Sequence, residues 1–475
     1  MGPKYDAVVV GAGPNGLAAA IRLVQENRSV LLIEANETIG GGTRSAELTR
    51  PGFIHDLCSA IHPMAAGSYF FRSLELENFG LEWIHPDVLL AHPLDGGRAA
   101  AMFRSLDDTA SRLDRDGKAY DRLMRPLREG WDLISDEVMR PMLHVPRSPL
   151  TLARFGLNAL QPAMMLAARN FRTDEGRSLF GGLAAHSLLA LDAPASSAVA
   201  LMLGGAGHAV GWPMPRGGAQ SIADALAAVF TSLGGEIQTG RRVTHLEQLP
   251  PSEMTLLDLT TDQFLRIAGS RLPLRYRQKL RRYRFGPSVF KLDYALSEPV
   301  PWTAEICRRA GTIHVGGTLD EIAASEHAVA SGRHSPKPFI LAAEHSRFDQ
   351  SRAPAGGHTL WAYCHVPHGS TVDVTDSIER QIERFAPGFR DCVLQRHTMN
   401  SADMQRKNEN LVGGDINGGT ASLSQLFARP ILSWNPYRTP IEGVYLCSAS
   451  TPPGGGVHGM CGFRAAEQAL SDLGR

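Results

Sequence analysis

The chain has 475 residues, 43% hydrophobic and 20% charged, with 48 basic side chains balanced by 48 acidic ones. That length exceeds one ordinary core and points to two or more domains, and the even charge gives no electrostatic case for nucleic acid as a partner. The six cysteines are scattered, with no C-x-x-C pair and no ladder, which suits a reducing, cytoplasmic compartment.

Tyr5 to Val10 is an apolar run without polar alternation, the pattern of a fully buried parallel strand. It begins too early to leave room for a secretory signal. Gly11, Gly13 and Gly16 follow at G-x-G-x-x-G spacing, and then a helical stretch, Leu17 to Asn27. In a dinucleotide fold the first glycine makes the tight turn, the second lets backbone approach a pyrophosphate, and the third admits the helix. The helix N-terminus offers free N–H groups and a positive dipole end to the phosphates. A second strand, Ser29 to Ile33, ends at Glu34, placed to accept from ribose hydroxyls and to repel a 2′-phosphate. A dinucleotide site is therefore expected, with NADP disfavoured.

Ile39-Gly40-Gly41-Gly42-Thr43-Arg44-Ser45 resembles the second glycine motif of the large FAD-dependent family that contains amine oxidases and phytoene desaturases. The resemblance implies FAD. Further on, Pro51 to Asp56 reads as a turn into a short strand, and the spacing of His55, Cys58 and His62 matches no structural zinc pattern, so no metal is expected. From about Ser68 to Pro215 the period is largely helical, with Leu150 to Leu166 amphipathic. Between Arg177 and Arg216 Asp192 stands alone as a formal charge, but Asp192-Ala193-Pro194 splits the stretch, so it reads as buried helices and not as a membrane span. Gly205 to Gly211 imitates a second fingerprint, one residue too long and inside a helical pattern. It is rejected as a nucleotide site.

Gly217-Gly218 leads into a helix through Ala228, and Glu236 to Thr239 reads as a strand before Val243; Leu256 to Thr261 reads as another buried strand. Arg266 to Arg284 carries seven arginines, one lysine and no acid, with Tyr276, Leu280 and Tyr283 at helical spacing. This is either a solvated helix or a surface for peripheral contact with an anionic membrane or a carrier-bound acyl group. From Phe285 to Arg429 strands (Ser288–Tyr294, Thr359–Val366) alternate with helices (Ile378–Phe385), the pattern of a sheet with one face towards the flavin.

Gly443 to Ala466 runs strand, glycine-proline loop, then a helix starting near Gly459, aiming N–H groups at a flavin edge. With the N-terminal fingerprint it resembles the phytoene desaturase-like FAD oxidoreductases, relatives of amine oxidases, carotenoid isomerases and retinol saturases. Many desaturases place arginine directly after the first glycine doublet, where this chain has Gly42, with Arg44 two residues on. The resemblance thus specifies FAD strongly and substrate hardly at all.

The implied fold is α/β: a Rossmann-type FAD-binding domain (1–67, 214–284 and 435–475) with an inserted α+β substrate domain (68–213, mostly helical, and 285–434). The implied FAD contacts, noncovalent, are Gly11, Gly13, Pro14, Asn15, Gly16, Glu34, Ala35, Gly41, Gly42, Thr43, Arg44, Val243, Ser450, Gly459 and Met460. Val243 stands where the family holds the adenine through its backbone. The family's chemistry implies hydride movement between carbon and flavin N5, on an apolar polyene, isoprenoid or acyl-like substrate. Oxygen, a quinone or a second organic substrate is the expected electron partner. His458 and His365 are the candidate acid/base groups, each set against an ordinary hydrogen-bonded structural histidine. A redox-neutral isomerase and a non-catalytic flavoprotein scaffold are the competing readings.

Overall fold

The computed structural model describes residues 5–474. Two large sheets carry the architecture. In chain order their strands are β1 (Ala7–Val10), β2 (Val30–Ile33), β3 (Val88–Pro93), β4 (Ala99–Phe103), β5 (Glu236–Gln238), β6 (Met254–Leu257), β7 (Ser288–Leu296), β8 (Ala310–Val315), β9 (Ile340–Ala343), β10 (His358–Val366), β11 (Val393–Met399) and β12 (Val444–Leu446). Among the helices, α1 (Pro14–Gln25), α2 (Asp174–Ala185), α3 (Ser197–Val210) and α4 (Met460–Leu473) position the site.

The first sheet has the order β12-β6-β1-β2-β5, with every pairing parallel. Its strands β1, β2 and β12 are apolar and buried throughout because helices cover both faces, whereas the edge strand β5, Glu236-Ile237-Gln238, is partly exposed. Val9 packs into the core with Leu17 and Ile21 of α1, and Val8 and Val10 pack on the other side with Phe264 and Ile267. The register sets Val10 beside Ile33 and Leu257, and Leu257 beside Leu446. Gly11, Glu34, Asp258 and Cys447 therefore leave the sheet along one edge, the carboxyl edge at which doubly wound folds bind ligands.

The second sheet has the order β11-β7-β10-β9-β8-β3-β4 and is antiparallel except between β8 and β3. Alternation divides its residues between two surfaces. Leu292, Ile340, Leu360 and Ala362 pack against Ile378, Ile382 and Phe385. Each large aliphatic side chain fully buried there contributes roughly 1.5–3 kcal/mol. Leu341, Trp361 and Tyr363 face the opposite way and line a cavity.

Four sequence expectations change in the structure. The largely helical reading of 68–213 missed β3 and β4, which pair with each other and, through β3, join the sheet formed by 288–399. Ala99-Ala100-Ala101 is a helix-forming triplet locally; pairing across the sheet overrides it. Leu150 to Leu166 is two helices, Pro149–Ala159 and Ala163–Asn170, parted before Pro162. The basic stretch is likewise two, Thr261–Ala268 and Leu274–Leu280, because Gly269 adopts a φ of 50° and Pro273 precedes the second. The strand expected over Leu256 to Thr261 stops at Leu257, where Thr260 caps the next helix. Gly205 to Val210 lies inside α3, with Gly211 as its C-terminal cap. No helix among the described residues is long and apolar enough to cross a membrane.

Candidate active site

The turn after β1 is shaped by atoms that leave no room for side chains. Gly11 sits at a φ of +100°, and its N–H donates to the Ile33 carbonyl at 2.7 Å. A Cβ on Gly16 would fall 1.8 Å from the Gly11 carbonyl oxygen, and one on Gly13 would fall 2.9 Å from Asp258 Oδ2. Helix α1 opens at Pro14 with Gly13 as a cap that offers no side chain, so its first N–H groups are left to a ligand or to Asp258. Gly16 donates to Asp258 Oδ2 at 3.0 Å. The Asn15 side-chain oxygen is buried without a partner and borders the same space.

Glu34 is 7% exposed at the end of β2. One oxygen accepts from Ala12 N–H at 2.8 Å, and the other accepts from the backbone and side chain of Asn36 at 2.9 and 2.8 Å. The carboxylate is thereby fixed beside the glycine turn, on a cavity margin that Ala35, Arg242 and Val243 also line. Asp258, at the end of β6, is the group that the sequence reading did not single out. Burial lifts its carboxyl to about 7, opposed by the Gly16 N–H and reinforced by the Glu34 charge. An acid directly after a buried strand, as at Glu34, was the available signal.

The second glycine motif is a one-turn 3-10 segment, Gly41–Thr43, docked on the first. Gly40 N–H donates to the Ala12 carbonyl at 2.8 Å, and a Cβ on Gly41 would lie 3.1 Å from Gly13 Cα. Gly41 and Gly42 border the cavity. Thr43 and Arg44 stand behind it: Thr43 Oγ1 donates to the Gly40 carbonyl at 2.8 Å, and the Arg44 guanidinium donates to the carbonyls of Gly41 and Lys407. These two residues fix the loop.

The C-terminal motif closes the other side. Ser450 Oγ donates to the Gly418 carbonyl at 3.2 Å, and Arg429, buried beneath the loop, donates to the carbonyls of Ala449 and Asn417 at 2.9 and 2.7 Å. His458 lines the cavity, and its Nδ1 accepts the Met460 N–H at 3.1 Å. That ring is held neutral, its basicity pushed down to about 4 chiefly by burial. Gly459, at a φ of +68°, and Met460 start α4 beside α1 and do not border the cavity; neither does Gly16. A Cβ on Gly462 would fall 1.7 Å from the Asn15 carbonyl oxygen, which shows how tightly α4 lies on α1.

One cavity of about 720 Å³ runs from this cradle into an apolar chamber. Met202, Leu203, Trp212, Leu341, Trp361 and Tyr363 wall the chamber, and His186 stands among them. The indole of Trp361 meets the Tyr363 ring edge-on at 5.0 Å. His365, two residues further along β10, is buried behind the wall with Nδ1 2.8 Å from Glu326 Oε2 and does not border the chamber. Cys461 is also outside the cavity, its thiol turned to the carbonyls of Thr451 and Gly454 at 3.4 Å and pushed up to about 12 chiefly by burial.

The glycine cradle, the fixed Glu34 and the partnerless Asn15 oxygen fit a dinucleotide with an unphosphorylated ribose, as FAD has. Comparison with known proteins identifies the lineage. Residues 15–267 match the family model described as flavin containing amine oxidoreductase. Over 99% of its length the chain is 26% identical to pyridine nucleotide-disulfide oxidoreductase domain-containing protein 2 of Rattus norvegicus, covering 94% of that protein. It is 26% identical to the phytoene dehydrogenase of Streptomyces griseus, with 96% of this chain and 93% of that protein aligned. Among solved structures, an oxidoreductase from Methanosarcina mazei superposes over 99% of this chain and 100% of its own, with a TM-score of 0.64 and 16% identity. Putrescine oxidase bound to putrescine gives a TM-score of 0.62 at 17% identity, with 99% of each chain covered. These likenesses show the shared fold. The chain belongs to the flavin containing amine oxidoreductase family, as an FAD-dependent oxidoreductase of the amine oxidase and desaturase type.

Proposed function

We propose that the protein dehydrogenates an apolar, isoprenoid-like or acyl-like substrate, passing a hydride from carbon to FAD. The observation that carries this reading is the continuity of the cavity, which joins the dinucleotide cradle to a chamber walled by aliphatic and aromatic side chains. Among the described lining residues the acids are Glu34, Asp258 and Glu409, and all three sit at the nucleotide end, Glu409 through its ion pair with Arg242. The chamber thus offers no carboxylate to a cationic amine, and apolar surface is what it rewards. The relationship to a protein named phytoene dehydrogenase supports the same class.

When bound, FAD supplies the two-electron acceptor. The chain's own part is binding, orientation and exclusion of water. N–H groups at the start of α1 would receive the pyrophosphate, and Glu34, kept from turning away by its contacts with Ala12 and Asn36, would accept from ribose hydroxyls. The Gly454–His458 loop and Gly42 bound the passage between cradle and chamber. Trp361 and Tyr363 from the sheet, with Met202 and Leu203 from α3, confine the substrate against that passage. Oxygen, a quinone or a second organic substrate would be the electron partner on this reading, since the stretch that imitates a second nucleotide fingerprint is the last turns and cap of α3.

Anaerobic stopped-flow mixing tests this. Monoterpene, carotenoid and acyl-thioester probes, a diamine, NADH and NADPH are each mixed with the FAD-loaded protein while the oxidised flavin band is followed. Bleaching by one of the apolar classes is expected, with the diamine and both nicotinamides far slower. Rapid bleaching by the diamine or by a nicotinamide alone overturns the reading.

A further inference from the structure

The start of α1 is shaped to receive an anion, and the side chain already set against it is an acid. Asp258 follows β6 and is 5% exposed. Its Oδ2 accepts the Gly16 N–H at 3.0 Å and lies so near Gly13 that a Cβ there would stand 2.9 Å away. Its Oδ1 has no hydrogen-bond partner among the described residues, and the side chain borders the cavity. The main chain allows no retreat. Asp258 N–H donates to the Val10 carbonyl at 2.8 Å, and the Asp258 carbonyl accepts from Asn410 Nδ2 at 2.9 Å.

What faces the carboxyl disfavours its charge. The Glu34 carboxylate acts on it from the end of β2. The thiols of Cys447, after β12, and Cys461, on α4, lie within its field; both are pushed up chiefly by burial, with the Asp258 charge adding to the effect. Against these stand one N–H and the positive end of the α1 dipole. No lysine or arginine among the described residues pairs with Asp258. A single hydrogen bond offsets only part of the cost of ionising a buried carboxyl.

A diphosphate brought to the same N–H groups adds like charge at this point. The carboxyl is the group able to take up a proton there, since a diphosphate diester is a strong acid. The fold has already moved it most of the way. Burial, opposed by the Gly16 N–H and reinforced by the Glu34 charge, sets the carboxyl at about 7, and a neighbouring diphosphate raises it further.

We propose that Asp258 binds FAD as the carboxylic acid, with its free oxygen turned donor to the diphosphate. Loading draws one proton from solvent onto Oδ1, and that O–H donates to a diphosphate oxygen while Oδ2 keeps the Gly16 N–H. The proton is the one atom added, and it converts a repulsion into a hydrogen bond. Retention of the cofactor is thereby tied to pH. The proposal depends on the cradle alone and on no reading of the substrate.

Equilibrium release of FAD from the loaded full chain, read by flavin fluorescence between about pH 5.5 and about pH 8.5, tests this. FAD itself does not titrate there, because its diphosphate is a strong acid and its flavin N3–H a weak one. The dissociation constant is expected to be flat below about pH 6.5 and to rise close to tenfold per pH unit above about pH 7.5, the slope of one proton taken up on binding. Asp258→Asn keeps the shape, supplies an N–H in place of the O–H and cannot ionise. It is expected to hold FAD at the wild type's low-pH affinity across the whole range. A flat wild-type profile, or a slope that persists in Asp258→Asn, overturns the proposal. If the variant does not load FAD, carboxyl 13C spectra of the aspartate-labelled, loaded wild type decide. A carboxyl still protonated at about pH 8 that ionises when FAD is released supports the proposal, and its absence overturns it.

Discussion

The two ends of the cavity are built on different plans. The nucleotide end is a backbone cradle, in which Gly11, Gly13, Gly16 and Gly41 approach one another so closely that Cβ atoms at Gly13, Gly16 and Gly41 would contact Asp258, Gly11 and Gly13. The chamber end is made of side chains, drawn from α3, the loop at Trp212 and the strands β9 and β10. A backbone cradle tolerates almost no substitution, because its shape is the main chain itself. A side-chain wall can be re-cut one residue at a time. The difference explains how one family keeps its cofactor and changes its substrates.

Four perturbations separate the two ends, the strongest first. Gly16→Val forces a side chain into the space 1.8 Å from the Gly11 carbonyl. Flavin absorbance per chain is expected to fall to background, and Gly13→Val, which meets the Asp258 carboxylate, is expected to do the same. Full flavin occupancy in either variant would mean that the cofactor does not pass over this turn.

Acid is the next strongest perturbation, and it acts more on the chamber side. His55, His62, His92, His208 and His458 are each lowered to about 4, and His186 and His345 to about 3, chiefly by burial in every case. Their folded values lie below the ordinary value near 6.5, so they have no effect on stability above that pH. As pH falls below it, the unfolded chain binds protons that the folded chain refuses, and stability is lost until the folded values are reached. Each ring contributes up to about 1.4 kcal/mol per pH unit in that window. The melting temperature is expected to drop steeply between pH 7 and pH 5. A flat profile there would mean that these rings are not held neutral.

Glu34→Ala is expected to weaken FAD roughly 10- to 100-fold, since it removes charge-assisted bonds to the ribose. Equilibrium dialysis of released flavin measures it, and wild-type affinity would move the ribose elsewhere. Met202→Ala should be the mildest. It enlarges the chamber at the cost of one buried apolar contact, so KM for an apolar substrate is expected to rise about tenfold, with FAD content unchanged. A loss of flavin in that variant would erase the distinction between the two ends.

Legibility in the sequence follows the same division. The cradle lies within residues 11–44, so spacing exposed Gly11, Gly13 and Glu34 and the likeness to a family motif exposed Gly41 and Gly42, all of which border the cavity. Val243, Ser450 and His458 were reached through the family pattern and also border it. Thr43, Arg44, Gly459 and Met460 belong to the same motifs but act from behind, which no linear pattern distinguishes. Asp258 was missed for another reason. An acid after a strand comes to the glycine turn only when β6 pairs with β1. His365 shows the converse: it was a candidate acid/base group on a predicted strand, and the fold buries it behind the wall with Glu326.

A crystal structure of the FAD-loaded protein tests the central claim most directly. The account predicts ribose hydroxyls on Glu34, the pyrophosphate over the N–H groups at the start of α1, and the flavin ring between Gly42 and the Gly454–His458 loop. One face of that ring should open onto Met202, Trp212 and Tyr363. A flavin ring turned away from that chamber, or a ribose bound anywhere other than Glu34, would contradict it.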